Sequence, residues 1–338
     1  MDVVRKTASA LAILAGMMAA SGDCVGADPP LEPIAVTIAT GPLGGLYHPV
    51  GGALCALLNE GRDTHGITCT VEITSGSVNN IKALRDGDAQ LAIIQSDTQQ
   101  AAFTGGDPFT DSEPFDTLRS VMALYVEQFT VVVGKKSDIE TFADLRGHRV
   151  YIGPSGSGRR QTAEAVMAAY GFSPNDVIDV ADPKASDEAV ALCNNEFDAF
   201  IMTIGNPNAT IKTATATCGA RLVPLDGAAI DAIVTETPVY VPSTIPAGMY
   251  PNVTTDIQTL GLVATLVTTA TERPELAYHV ARAFFANADS LRQASAIFTT
   301  LADKERVRAG LTAPMHDGAV DHFSETGLIA PTDAEAPR

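Results

Sequence analysis

TCTVEITSGSVNNIKALRDGDAQLAIIQ, residues 68–95, decides how this chain folds. Thr68–Thr74 alternates, with Cys69, Val71 and Ile73 on one side and Thr70, Glu72 and Thr74 on the other, the period of a half-buried strand. Ser77 stands where a helix cap belongs, Val78, Ile81 and Leu84 fall at helical spacing, and Gly87 supplies the stop. Leu91–Gln95 is apolar almost throughout, which predicts a strand covered on both faces. Strand, small-residue loop, helix and strand in succession make a parallel βαβ unit.

Working outward, the same grammar recurs. Upstream, Ile34–Thr40 reads as a strand and Pro49–Glu60 as a helix carrying Val50, Leu54, Leu57 and Leu58 on one face. Downstream, Arg149–Gly153 is a strand and Arg159–Tyr170 a helix closed by Gly171, followed by strands at Val177–Val180, Phe197–Thr203 and Arg221–Leu225. Asn206-Pro207 is expected to start the next helix, with Asn as cap and Pro at the first helical position. Between the two sets, Val121–Tyr125 and Phe129–Val133 are strand-like, and Val126-Glu127-Gln128 is too short for a helical crossover. Leu262–Thr269 is a similar apolar run, with Pro274–Ala286 helical after it. These two segments are expected to carry the chain from one lobe to the other and back. Residues 28–125 plus 259–338 would form lobe 1 and 126–258 lobe 2, with the crossings as a hinge.

Residues 1–27 read as a signal peptide: Arg5 and Lys6, an apolar run from Ala8 to Ala20, and small residues at Val25-Gly26-Ala27 before cleavage. The run is short of the roughly 20 residues a spanning helix needs. Ser21-Gly22-Asp23 is a poor lipobox before Cys24, so export to the periplasm is the expectation. Cleavage leaves Cys55, Cys69, Cys193 and Cys218, for which three connectivities exist. Cys55–Cys69 with Cys193–Cys218 closes short local loops and is favoured, against the alternative of four buried thiols.

Lys and Arg number 22 against 40 Asp and Glu, a net charge of −18, which argues against nucleic acid. It says nothing of a small ligand, because a cleft can be locally positive on an acidic protein. No Cys/His cluster has metal-ligand spacing; His316 and His322, with Asp317 and Asp321, read as solvated or packing residues, so neither metal nor cofactor is expected.

Polar and small residues concentrate where strands give way to helices: Gly41–Tyr47, Ser75–Asn80, Gln95–Thr98, Gly153–Arg159 and Gly205–Asn208. Ligands of open α/β sheets bind there, and helix N-termini favour anions. Gly153-Pro-Ser-Gly-Ser-Gly158 has phosphate-loop glycine spacing, but Arg159-Arg160 replaces the Lys and Ser/Thr a nucleotide requires. Ser155 also fails the G-x-S-x-G hydrolase pattern, because Ser157 stands where the second Gly belongs. What remains is a loop in which Ser155, Ser157 and Gly158 can surround an oxyanion, with Arg159 or Arg160 available for pairing. Tyr47 and Gln95 are candidates to flank the ligand, and Asp97 is expected to cap a helix.

Thr37-Ile-Ala-Thr-Gly-Pro-Leu-Gly-Gly-Leu-Tyr-His-Pro-Val-Gly-Gly52 resembles the opening of the TAXI-type solute receptors of TRAP transporters. Ser75-Gly-Ser-Val-Asn-Asn80, Ile94-Gln-Ser-Asp97, Gly153–Gly158, Leu222-Val-Pro-Leu-Asp226, Ile245-Pro-Ala-Gly-Met-Tyr-Pro251 and Leu311-Thr-Ala-Pro-Met-His-Asp-Gly-Ala319 match in the same order. The resemblance implies a periplasmic binding protein type II-like fold, two α/β lobes around a ligand cleft, without catalysis. It implies a monomer delivering a small anionic metabolite, glutamate-like or a dicarboxylate such as 2-oxoglutarate, to TRAP membrane subunits. Tyr47, Ser77, Gln95, Ser157 and Asn206 would be its cleft contacts. Arg159 departs from the family, where Thr or Ser commonly follows Gly-Ser-Gly. The same fold and cleft would also suit a receptor feeding an exported sensor.

Overall fold

In the computed structural model the described residues are 33–173, 175–181, 188–294 and 307–330; the leader reading at 1–27 lies outside them. The chain runs β1 (Ile34–Ala39), α1 (Tyr47–Glu60), the short α2 (Arg62–His65), β2 (Ile67–Glu72), α3 (Ser77–Asp86), β3 (Leu91–Gln95), α4 (Ser96–Thr104) and β4 (Leu118–Val133). It continues through β5 (Arg149–Tyr151), α5 (Gly158–Ala169), β6 (Ile178–Asp179), α6 (Glu188–Cys193), β7 (Ala199–Ile204), α7 (Ala209–Cys218), β8 (Arg221–Val223) and α8 (Ala228–Glu236). β9 (Val241–Ile245), β10 (Ile257–Thr269), α9 (Pro274–Ala286), α10 (Ala288–Ala294) and α11 (Asp317–Glu325) complete it. Among the described residues no helix is long and apolar enough to cross a membrane.

The strand order is β2-β1-β3-β10-β4-β7-β5-β6, with β8 added to β4 and β9 to β10. β1 pairs parallel with β2 and β3, and β5 parallel with β6 and β7, as the βαβ grammar requires. β4 and β10 lie antiparallel between these two parallel sets. The two segments read as crossings are therefore partners in one ladder, and each is longer than its sequence suggested. Val126-Glu127-Gln128, too short for a helical crossover, lies within β4, which continues from one lobe into the other.

β4 contributes to both cores. Val121, Met122, Leu124 and Tyr125 pack with α1, α9 and α11 in one apolar cluster, while Phe129, Val131 and Val133 pack with α5 and α8 in another. β10 divides likewise, with Ala264 and Leu266 in the first cluster and Leu260 and Leu262 in the second. Register shifts between Ala264 and Thr265 and between Leu266 and Val267 interrupt the ladder, and such bulges bend and twist the paired strands. Two α/β lobes thus share two strands.

Cys55 on α1 is bonded to Cys69 on β2, and Cys193 at the end of α6 to Cys218 at the end of α7. These are the local pairings, each tying a helix to its neighbour in the same lobe. β2 ends at Glu72, so Ile73, assigned inward, is 52% exposed. Gly76, not Ser77, precedes the first turn of α3, and no side chain caps it. Asn208 caps α7 through Thr210 N and Ile211 N, and the cis bond Asn206-Pro207 lies before the helix instead of starting it. His316, read as solvated or packing, is the N-cap of α11 and accepts from the Gly318 N–H at 3.3 Å.

Candidate functional site

A cavity of about 300 Å³ opens where the carboxyl ends of the parallel strands face one another across β4 and β10. From lobe 1 come the Gly41–Tyr47 loop after β1, the Ser75–Ser77 loop after β2, and Gln95 ending β3. Tyr151 ending β5, Pro154, Ser157, Gly158 and Arg159 entering α5, Glu188 opening α6, and Met202–Ile204 ending β7 form the opposite wall. Glu127 projects from the middle of β4. Strand ends collect polar loops because the apolar sheet stops there, and α1, α3, α5 and α6 each begin at a residue of the lining, which brings their first-turn N–H groups to the edge of the gap. Neither α1 nor α3 has a side-chain cap on those groups.

Of the expected site residues, Tyr47, Ser77, Gln95, Ser157, Gly158 and Arg159 line this cavity. Ser155 is exposed and Asn206 is committed elsewhere; neither is among the lining residues. The Asn206 amide donates to Gln128 Oε1 at 2.9 Å and its carbonyl accepts from the Tyr250 hydroxyl, so it braces the β7–α7 loop. Ser157 caps α5 by accepting from Arg160 N and donates its own proton to the Pro154 carbonyl at 2.7 Å. With its hydroxyl so used and no base among those partners, it is not arranged as a nucleophile.

Glu127 escaped the sequence reading. Its carboxyl accepts from Tyr47 Oη at 3.2 Å and bonds the Gln95 side chain. Burial raises its pKa to about 8, the hydrogen bonds from Gln95 and Tyr47 opposing and the Asp97 charge adding, so it holds a proton at neutral pH. Burial together with Glu127 also pushes the Tyr47 phenol well above its ordinary value. A charged residue within an otherwise apolar run was the available signal. Glu188 was missed too, since nothing near it in sequence marks it.

Several polar atoms of the lining are buried without a hydrogen-bond partner: Gln95 Oε1, Arg159 Nη2, Glu188 Oε2 and Thr203 Oγ1. Buried polar groups are normally satisfied, so four unpartnered ones around one cavity single it out as the candidate site.

The lobes touch beside the cavity. Asn79 N donates to the Gly156 carbonyl at 3.1 Å, and Gly158 abuts Ser77 and Gln95. Asp97 is not the cap it was expected to be: it lies in the first turn of α4, whose N-cap position is Gln95, and its carboxyl accepts from Thr98 N at 2.6 Å and, on the opposite lobe, from Thr162 Oγ1 at 2.7 Å and Tyr240 Oη at 3.0 Å. Burial raises its pKa, and those hydrogen bonds oppose the rise.

A family model described as the NMT1-like family matches residues 38–327. The chain belongs to the NMT1-like family. Among solved structures, this NMT1-like chain is similar to the alkanesulfonate-binding protein SsuA from Xanthomonas axonopodis pv. citri bound to MOPS, at 17% identity, TM-score 0.49, covering 90% of this chain and 86% of that one. A Bordetella bronchiseptica RB50 protein gives 15% identity and TM-score 0.50 over 90% of this chain and 83% of that one. A putative L-cystine ABC transporter protein from Listeria monocytogenes gives 13% and 0.46 over 80% and 98%. At such identities the likeness is one of fold, here the periplasmic binding protein type II-like fold with two α/β lobes and a cleft between them.

Proposed function

We propose that this NMT1-like chain is a periplasmic solute receptor of a TAXI-type TRAP transporter. It captures a small carboxylate, either a glutamate-like amino acid or a dicarboxylate such as 2-oxoglutarate, and hands it to TRAP membrane subunits without transforming it. Residues 28–125 with 259–338 move as lobe 1 and 126–258 as lobe 2, hinged at β4 and β10. Tyr47, Ser77, Gln95, Ser157, Gly158 and Arg159 contact the ligand.

The observation that carries this reading is the cavity itself, walled by loops of both lobes and bordered by the first turns of α1 and α3, which no side chain caps, although the Asn79 N–H of α3 is bonded to the Gly156 carbonyl. Helix ends of this kind place N–H donors and a positive dipole end on an anion. A ligand touching both walls holds the lobes together, which is how a receptor converts binding into a closed shape. Ligand-stripped protein should be stabilised by about 2.7 kcal/mol when a carboxylate is present at 100 times its dissociation constant. A broad panel of amino acids and organic acids that leaves the unfolding midpoint unmoved refutes the carboxylate assignment.

A further inference from the structure

Arg159 and Glu188 meet in the cavity wall from two different helices, α5 and α6. The Arg159 Nη1 donates to Glu188 Oε1 at 2.8 Å, Nε donates to the Ile201 carbonyl, and the guanidinium carbon lies 4.8 Å from the centre of the Tyr151 ring. The side chains are 12% and 3% exposed. Held on these sides, the guanidinium is not a mobile cation waiting for an anion. Its charge is already met by a carboxylate that comes with it into the cavity.

What the pair leaves over is one donor and one acceptor. Arg159 Nη2 and Glu188 Oε2 are both buried without partners, and both residues line the cavity. Gln95 Oε1, a second acceptor without a partner, belongs to a residue 2% exposed in the facing wall. A bare carboxylate placed on Nη2 satisfies the donor but sets its own charge beside Glu188. A group with an ammonium next to a carboxylate satisfies both: the carboxylate accepts from Nη2 and the ammonium donates to Oε2. Buried acceptors that expect an N–H discriminate strongly against an analogue lacking it.

We propose that Arg159 and Glu188 form a two-signed clamp that selects a ligand bearing an amino group beside its carboxylate over the corresponding acid without the amine. This rests on the receptor function proposed above and narrows its ligand to zwitterionic amino acids. The clamp lies on the side of the cavity where Arg159 departs from the TAXI pattern, so it is a property of this chain's own residues.

The test is calorimetric titration of ligand-stripped protein with matched pairs differing only in amine against ketone: L-glutamate with 2-oxoglutarate, and L-leucine with 4-methyl-2-oxopentanoate. The amino acid of at least one pair should bind about 100-fold or more tightly than its oxo partner. Glu188→Gln should reduce that ratio by about tenfold or more, through weaker amino acid binding. Because that substitution leaves Arg159 buried beside a neutral partner, the double variant Arg159→Gln with Glu188→Gln, uncharged and similar in volume, is measured alongside and should lose the preference as well. An oxo acid that binds as tightly as its amino partner, or a ratio unchanged in both variants, overturns the clamp while leaving the receptor function standing. Failure of every compound to bind overturns both.

Discussion

Gly158 is where the closed shape can be attacked with a single methyl group. An ideal Cβ placed there lies 2.0 Å from Gln95 Oε1, 2.6 Å from Ser77 Oγ and 2.8 Å from Ser77 Cβ, all on the opposite lobe. Neither neighbour yields easily: Gln95 is bonded to Glu127, and Ser77 Oγ accepts from the Gln95 N–H. Gly158→Ala therefore wedges the lobes apart in the closed form, at an overpacking cost of about 1–3 kcal/mol. Converted at 1.4 kcal/mol per tenfold, ligand affinity should fall about 5- to 150-fold. Gly158 is not among the positive-φ glycines, so alanine suits its backbone, and helix propensity favours alanine by up to about 1 kcal/mol. Titration calorimetry paired with thermal unfolding separates the two effects. The expected result is weaker binding with an unchanged or raised midpoint in the absence of ligand. Affinity equal to that of the parent would show that the two walls do not close on each other at this point, and the reasoning would fail.

Three further outcomes follow from the same geometry. Tyr240→Phe removes one hydrogen-bond partner from buried Asp97 without touching the cavity, and depriving a buried polar group of a partner costs about 1–3 kcal/mol; ligand affinity should drop about fivefold or more, and equal affinity would mean the contact does not report closure. Glu127 titrates near 8 when folded against 4.5 otherwise, so its contribution is fully present below pH 4.5 and is lost as pH rises through 8. Comparing denaturant midpoints of the parent and Glu127→Gln, the parent should lose on the order of 3–5 kcal/mol more between pH 4.5 and pH 9, and parallel curves would contradict the assignment. Opening the Cys55–Cys69 or Cys193–Cys218 bridge, with separations of 14 and 25 residues, should lower stability by about 3 kcal/mol each; a denaturation midpoint indifferent to Cys→Ala substitution would show that the bridges do not constrain the unfolded chain.

Period and punctuation made much of the fold legible. Cys69, Val71, Ile81, Leu84 and Leu91 announced strand, helix and strand because burial on one face imposes their spacing. The parallel order places polar loops at the strand ends, and Tyr47, Ser77, Gln95, Ser157, Gly158 and Arg159 from those loops line the cavity. Contacts between distant segments were not legible. Asp97 looked like a cap because its partners Thr162 and Tyr240 are 65 and 143 residues away. Arg159 shows no partner in the sequence because Glu188 lies beyond an intervening strand, and Glu127 is inconspicuous there because its partner Tyr47 is 80 residues away. Asn206 misled for a local reason: two Asn flank Pro207, and the second is the one that caps α7.

Native mass spectrometry of ligand-stripped protein with both disulfides intact, offered a pool of amino acids, dicarboxylates and neutral sugars, tests the carboxylate-receptor reading most directly. One adduct per chain, with the mass of a carboxyl-bearing molecule and weakened in Gly158→Ala, is the predicted spectrum. A sugar adduct, or no adduct from the pool, would contradict it.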